Sequence, residues 1–567
     1  MEKKLIALLL VLVMLCSLMA GCGKSDAPAA SGDPAQSSGE NREDVTLTVL
    51  MHGGASVSGI QDDPVTKYVQ EKLGITIDVI STNGMDVDAT LNALIASDDL
   101  PDIVVAQFER HAQLLIESDA VLPLDDLLAT HGTNIINSEA GSKALFLQQE
   151  FSAVSAGREE IYFVPALAGL NYMGGYPQVA PFIRWDVYEQ IGAPEVEDFD
   201  ALLDVLKQMQ EAHPTTDSGK TVYAISGGLA DGAWNNWTMT AIEAAIGWRR
   251  LHNSGLNYVS VADPSQMVNG FEGEDAPAWR LFRWFNKAYQ MGILDPEAAT
   301  MKFDQWAEKI AGGQVLYAPF GQATFTSTGI ENSEDKYMMP VPFERYENDS
   351  FTASYGGDSG IVQYAISKNC KYPERAMELL NFIWSEEGAY LFANGTPKGE
   401  GWDIIDGEAQ LTAEYVAGLQ DGSIEAPLFQ SFIGSYMNPS TGTPYVLTNT
   451  DKYYADYLSD EHTQAYCEKY GVDSPLELYT SVEHNRWYNY EIFMPVLDGE
   501  LKDKADALNE YCLTNLTKMI FAESDAEFEA MREEFMNDIK EIGSDEVYAF
   551  MSEGYSDNMA KYMEQFG

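Results

Sequence analysis

Residues 45 to 106 alternate strand and helix signals at a spacing that suits a parallel, doubly wound sheet, and no other stretch constrains the fold as strongly. Val45 to Met51 is an apolar, β-rich run, and a glycine-rich loop follows at His52 to Gly59. Asp62 or Asp63 can cap a helix that carries Pro64 in its first turn and ends at Gly74. Ile75 to Ile80 alternates with β-branched residues; Asp86 to Ser97 then sets Leu91, Leu94 and Ile95 on one helical face, stopped by Pro101. Asp102 to Ala106 is the third strand. Ligands bind such sheets at the carboxyl ends of strands, here His52 to Ser58 and Gln107 to Arg110.

A second α/β unit starts after Ile161 to Pro165. Its expected strands are Pro181 to Arg184, Val222 to Ser226 and Gln314 to Ala318, and its expected helices are Phe199 to Ala212, Pro277 to Met291 and Phe303 to Ala311. Gly360 to Ser367 reads as a further strand, with a helix from Pro373 to Trp384. The last hundred residues are mostly helical, with periodic apolar positions at Tyr511, Leu516, Met519 and Ile520, and again at Phe528, Met531, Phe535 and Ile539. No solenoid-type repeat is present.

The first residues read as an export segment. Lys3 and Lys4 precede an apolar run from Leu5 to Leu18 that is too short for a comfortable membrane span, and the small residues Ala20 and Gly21 stand before Cys22. Leu18-Met-Ala-Gly-Cys22 resembles a bacterial lipoprotein signal, with Met19 where the usual leucine stands; the alternative is an ordinary signal peptide with a chance cysteine. Gly23 to Arg42 is rich in Ser, Gly, Pro, Ala and Asp, has no aliphatic residue larger than Ala, and so reads as a flexible tether. About 520 residues remain, enough for two to four domains.

Composition excludes several partners. A net charge of −54, from 34 basic and 88 acidic side chains, repels nucleic-acid phosphates and anionic membrane surfaces, so membrane contact is expected through the lipid only. After processing, Cys370, Cys467 and Cys512 remain with the lipidated Cys22, too few for a disulfide framework; at most one pair forms, and separate buried thiols are expected. The seven histidines show no metal-ligand spacing, and neither a Gly-x-Ser-x-Gly elbow nor a Gly-x-x-x-x-Gly-Lys phosphate loop occurs. No metal, cofactor or catalytic residue is expected.

Several local patterns together resemble the extracellular solute-binding proteins of ABC importers, family 1, of the large carbohydrate-binding type common as lipoproteins in Gram-positive bacteria. They are Ser97-Asp-Asp-Leu-Pro-Asp102, Phe182-Ile-Arg-Trp-Asp-Val-Tyr188 with Ile191-Gly192, Gly292-Ile-Leu-Asp-Pro296, the Trp306 to Gly313 helix, and Pro373-Glu-Arg-Ala-Met-Glu-Leu-Leu380 with Ser385-Glu-Glu-Gly388. Thr517-Lys-Met-Ile-Phe521 through Asp525-Ala-Glu-Phe528 is similar to the branch that binds aldouronates or oligosaccharides. The resemblance implies a two-lobe periplasmic-binding-protein-like α/β fold (type II), with discontinuous doubly wound lobes, a cleft between them and a helical C-terminal extension. Crossings are then expected near Tyr162 to Leu167, near Pro340 to Phe343 and near residues 400 to 410, with a hinge at Gly356 and Gly357. The implied division is 1–21 signal peptide, 22–44 tether, 45–164 plus 344–405 lobe 1, and 165–343 plus 406–567 lobe 2. Many relatives carry an acidic calcium loop after the helix that corresponds to Phe199 to Ala212. Here His213-Pro-Thr-Thr-Asp-Ser-Gly-Lys220 holds Asp217 as its only carboxylate, short of the oxygen ligands that calcium takes.

A sugar ring offers an apolar face and a rim of hydroxyls, so its site needs flat aromatic rings and forked polar groups. Trp234-Asn235-Asn236-Trp237 supplies both, just beyond the strand Val222 to Ser226; one tryptophan is expected to pack inward and the other to face ligand. Phe320 and Gln322, just beyond the strand Gln314 to Ala318, correspond to a loop that presents an aromatic to sugar in maltose-binding proteins, and Trp402, near the third crossing, is expected to stack from the second lobe. His52, Phe108 and Glu109 from the first lobe, Tyr172 after the first crossing, and Tyr355 and Asp358 beside the second complete the set. An acidic ligand would require Arg110 or Arg184, the latter also a candidate for an inter-lobe ion pair; the acidic field favours a neutral oligosaccharide.

The sequence reading is therefore a monomeric, lipid-anchored protein on the outer face of the cytoplasmic membrane of a Gram-positive bacterium, passing an oligosaccharide to ABC permease subunits. A surface glycan-degrading enzyme and a sensor subunit presenting ligand to a receptor kinase are the alternatives.

Overall fold

The computed structural model describes residues 43–51, 58–81, 87–151, 160–165, 179–230, 239, 241–243, 245–251, 254–320, 330–331, 333, 335–346, 362–424, 438, 440–458, 460–475, 477–480, 482 and 490–566. Its strands, in chain order, are β1 (Val45–Met51), β2 (Gly59–Ile60), β3 (Ile75–Ser81), β4 (Ile103–Gln107), β5 (Val164–Pro165), β6 (Val179–Arg184), β7 (Tyr223–Ile225), β8 (Trp248–Leu251), β9 (Asn257–Ser260), β10 (Met267–Asn269), β11 (Val315–Phe320), β12 (Met338–Pro340), β13 (Val362–Ile366), β14 (Trp402–Ile405) and β15 (Glu408–Leu411).

The first sheet has the order β2-β3-β1-β4-β13-β5. β1 pairs in parallel with β3, from Val45 opposite Ile75 to Met51 opposite Ser81, and also with β4. The helix Pro64–Leu73 that links β1 to β3 begins as its sequence dictates: Asp63 Oδ1 accepts from the Val65 and Thr66 amides at 2.9 and 3.3 Å. It stops at Gly74, whose φ of +65° lets its amide close on Gln70 O, a backbone state that costs glycine little. The sheet is not wholly parallel. β13 pairs antiparallel with β4 and, on its other side, with β5, because the chain reaches β13 from elsewhere instead of through a crossover helix.

Val49, Ile77, Ile103 and Tyr364 are buried against the helices Pro373–Ile383 and Glu386–Asn394. The same core takes in Trp402 and Leu411 of the β14–β15 hairpin, then Val416 and Tyr445 to Leu447.

The second sheet has the order β12-β6-β11-β7, with β7 and β11 parallel and β6 antiparallel to both β11 and β12. Its core is aromatic. Trp185, Trp279 and Trp306 are fully buried between the sheet and its helices, and Phe199 stacks on Trp284 with ring centres 4.5 Å apart. Three long helices, Gly499–Ile520, Asp525–Ile542 and Ser544–Phe566, belong to this core, burying Leu508, Cys512, Leu516 and Met519 from the first, and Phe528, Phe535 and Ile539 from the second. Those intervals repeat a helical face, which is what the periodicity of the sequence demands. The antiparallel sheet β10-β9-β8 lies on the same lobe, tied to the last helix by the Tyr555 hydroxyl, which donates to Pro264 O at 2.7 Å.

The protein thus has two α/β lobes, each with its own core. Between them, the helix Glu139–Phe151 of the first lobe lays Phe146 against the second core and Lys143 over the Tyr562 ring, 5.4 Å from its centre. Among the described residues no helix is long and apolar enough to cross a membrane.

Candidate ligand-binding site

Register fixes which edge of each sheet the connections leave. In the first sheet the carboxyl ends of β1, β3 and β4 lie at one edge, where Gln107 pairs with Val362 and Gln363 with Pro165. The chain therefore departs after Pro165 and returns at Val362 on the edge where His52 and Phe108 follow their strands. In the second sheet, β7 and β11 end at the edge where Phe320 pairs with Val179, so the chain from Pro165 arrives there. β12 runs towards the same edge and sends the chain back after Pro340. Both connections between the sheets thus join one carboxyl-end edge to the other, the place where a doubly wound sheet holds ligand.

Phe108 and Glu109 open the helix Phe108–Glu117 directly after β4, and Phe320 is the last residue of β11; their backbones are at these edges, and their side chains lie outside the described residues. His52, Tyr172, Trp234, Asn235, Asn236, Trp237, Gln322, Tyr355 and Asp358 also lie outside the described residues, as do Gly356, Gly357 and Cys22. Trp402 is described, and it is buried in the first core. Its ring centre is 4.4 Å from that of Tyr390, and its indole N–H donates to Thr396 O at 3.1 Å.

Arg184 is a correction to the sequence reading. It sits at the end of β6 away from the ligand edge, fully buried, with Nε and Nη2 on the two oxygens of Asp186 at 2.8 and 2.7 Å. This ion pair is local to the second lobe, formed because the helix that starts at Trp185 places Asp186 two residues on. The guanidinium is used there and does not join the lobes.

A buried network that sequence reasoning missed stands behind β7. Asp295 has no exposed surface; its Oδ2 accepts from the Ser226 hydroxyl at 3.0 Å and from Lys309 Nζ at 2.6 Å, and its Oδ1 from the Glu297 amide at 3.0 Å. The Asp295 amide donates to Ile225 O at 2.8 Å, while Leu229 and Ala230 donate to Ala298 and Met301. The chain after β7 is thereby strapped to the segment 295–301 as far as Ala230. Burial opposes the Lys309 charge, but its bonds to Asp295 and Glu297 prevail and raise its pKa. The signal was present in Gly292-Ile-Leu-Asp-Pro296, where an aspartate before proline is a helix cap.

The segment His213–Lys220 folds back on itself, with Thr215 bridging Thr221, and Asp217 is paired with Lys336, which also holds Glu331. No group of three or more potential metal ligands occurs among the described residues. His213 is held below the usual histidine range by burial first and by the Arg184 charge second. Its folded form stays neutral while the unfolded chain takes up a proton below pH of about 6.5. Stability is therefore expected to fall as pH drops through about 6.5 towards 5, above the range in which carboxylates titrate. A His213→Gln variant should lose that part of the Tm decline; an unchanged profile would contradict the assignment.

The three described cysteines, Cys370, Cys467 and Cys512, are free thiols, and burial pushes Cys370 and Cys512 up to about 12. Both are inert packing groups.

Solved structures share this architecture. The alginate-binding protein AlgQ2, without calcium ion, matches with a TM-score of 0.60 and 17% identity over 90% of this chain and 98% of that one. An extracellular solute-binding protein from Bifidobacterium longum subsp. infantis matches with a TM-score of 0.64 and 14% identity over 90% and 98%. The N-glycan transport solute-binding protein of Streptococcus pneumoniae, in complex with Man1GlcNAc, matches with a TM-score of 0.51 and 16% identity over 91% and 99%. At these identities the likeness is one of fold. No curated protein matches the chain. Residues 65–399, more than half of the chain, match the family of bacterial extracellular solute-binding proteins. With both its fold and that match in agreement, the chain belongs to this family.

Proposed function

We propose that the chain is the lipid-anchored substrate-binding component of an ABC importer, capturing a neutral oligosaccharide between its lobes and delivering it to the permease. The observation that carries this reading is the register of the two sheets: the chain leaves the first sheet after Pro165 and enters the second at Val179 between carboxyl-end edges, the edges at which β1, β4, β7 and β11 end. The sugar-binding solute-binding proteins among the structures of the same fold support it.

His52, Phe108, Glu109, Tyr172, Trp234, Asn235, Asn236, Trp237, Phe320, Gln322, Tyr355 and Asp358 are the proposed contacts, with rings stacking on sugar faces and amides and carboxylates bonding the hydroxyl rim. Of the tryptophans outside this set, Trp185, Trp279, Trp284, Trp306, Trp384 and Trp402 are buried. Those six are committed to packing and Trp248 is half-buried on β8, so Trp234 and Trp237, in the segment after β7, lead as stacking rings. We assign lobe 1 to 45–165 with the segment from Val362 through Leu447, following the shared core, and lobe 2 to the remainder from Val179.

Incubation of the protein with glycans separates this from a degrading enzyme. Binding without product release is expected; release of shorter sugars would favour the enzyme. Cys22 gives the anchor: a tether keeps captured ligand near the permease and raises its local concentration there. A Cys22→Ala variant should be shed into the medium and support less uptake with unchanged sugar affinity. A variant that stays on the membrane would contradict the lipid assignment.

A further inference from the structure

The chain passes between the lobes three times: between Pro165 and Val179, between Tyr346 and Val362, and between Leu447 and Tyr466. One described contact joins the lobes without any of these passages. It is made by the helix Glu139–Phe151, which has two working faces. Ala144 and Leu145 are buried in the first core, whereas Lys143 and Phe146, three residues apart and so on one side of the helix, turn to the second lobe.

Their seat is held rigidly by the C-terminal end of the chain. Tyr562, on the last helix, is 8% exposed, and its ring centre lies 5.1 Å from that of the buried Phe493. The Asn558 side-chain amide donates to Phe493 O at 3.0 Å, and Pro495 packs where Gly554 leaves room, since a Cβ there would stand 2.5 Å from Pro495 Cγ. Tyr555 fastens the same helix to Pro264 O. Over this seat Lys143 Nζ stands 5.4 Å from the Tyr562 ring centre, within cation–π range, and Phe146 adds apolar packing against the same core. The ring is almost out of water, which strengthens its hold on a cation.

A passage of the chain survives every arrangement of the lobes. A side-chain contact that spans them is kept in some arrangements and lost in others, and its free energy favours those that keep it. We propose that Lys143 and Phe146 tie the first lobe to the C-terminal segment of the second, and that this tie biases the lobe arrangement on which ligand affinity depends. The proposal rests on the reading of the chain as a protein that holds ligand between its lobes. The C-terminal helices then do more than complete the second core, because the last of them supplies the seat for the first lobe.

The test compares the full chain with Lys143→Met, Phe146→Ala and the double variant. Phe550→Ala is the control, since Phe550 is on the same last helix, exposed and outside both cores. Small-angle scattering without ligand should give the double variant a broader distance distribution and a larger maximum dimension. Each single variant should show a smaller change, and Phe550→Ala should superimpose on the parent. Lys143→Arg, which keeps a cation over the ring, should also retain the parent profile. If the double variant does not fold, the two single variants carry the same comparison. Superimposable profiles for the parent and every variant at Lys143 and Phe146 would overturn the proposal. Any glycan that the parent retains on an array should bind the double variant with an affinity changed by about fivefold or more, and Phe550→Ala within about twofold of the parent. Unchanged affinity of the double variant would overturn the bias on capture. Absence of binding by the parent, with the broadening present, would support the tie and count against the sugar reading alone.

Discussion

Replacing Glu243 by alanine should destabilise the second lobe by about 3–5 kcal/mol, the scale of breaking a buried ion pair by removing one partner. Glu243 has no exposed surface and Arg250 is only 7% exposed; Glu243 Oε1 lies 3.1 Å from Arg250 Nε and accepts the Tyr258 hydroxyl at 3.0 Å. The pair joins the segment after Trp237 to β8 and β9. Removing the carboxylate takes away its compensation of a charge held in a low-dielectric interior, which costs more than the pair contributes. Urea unfolding should show the loss. The double variant Glu243→Leu with Arg250→Met should recover part of it, because an apolar pair of similar volume removes the desolvated charges while the Tyr258 hydroxyl still loses this acceptor. Equal instability of the single and double variants would show that the site is governed by packing volume and not by charge.

The second large effect is expected at Trp234 and Trp237. One replacement by alanine should weaken oligosaccharide binding by about 2 kcal/mol, roughly 30-fold, the scale of an aromatic hot spot in a desolvated site. The other should lower Tm and leave affinity within about twofold, as a core tryptophan would. Titration calorimetry with thermal melts on both single variants resolves the two roles. Retention of full affinity by both would remove the segment from the site.

The alternation of strand and helix made the first sheet legible from residue 45 to residue 107, because each boundary carries its own local chemistry: Asp63 as cap, Gly74 as stop, Pro101 as break. The fold class followed from that alternation and from the family resemblance. Less legible were elements whose pairing is non-local. β13 was readable as a strand, but its antiparallel place between β4 and β5 depends on where the chain returns from the other lobe. β8 to β10 are three or four residues each, too short to display a period.

Aromatic residues show the same division between composition and placement. Trp402 and Trp306 are alike in sequence character to a stacking tryptophan, and only their burial separates core from cleft. Arg184 likewise has an obvious partner two residues away, which local geometry supplies and the sequence pattern alone does not rank above a distant one. Tyr479 carried no sequence signal at all. Its buried hydroxyl bonds Pro181 O and the Val341 amide, 298 and 138 residues away, a pairing that only the fold creates.

The account rests on capture of a neutral oligosaccharide between the lobes, and the most direct measurement is a glycan array on residues 45–567 followed by small-angle scattering with the sugars retained. At least one neutral oligosaccharide should bind, contract the particle and shift the tryptophan emission saturably. Binding restricted to uronate-containing sugars and weakened by salt would contradict the assigned ligand class, and no response to any glycan would contradict the account itself.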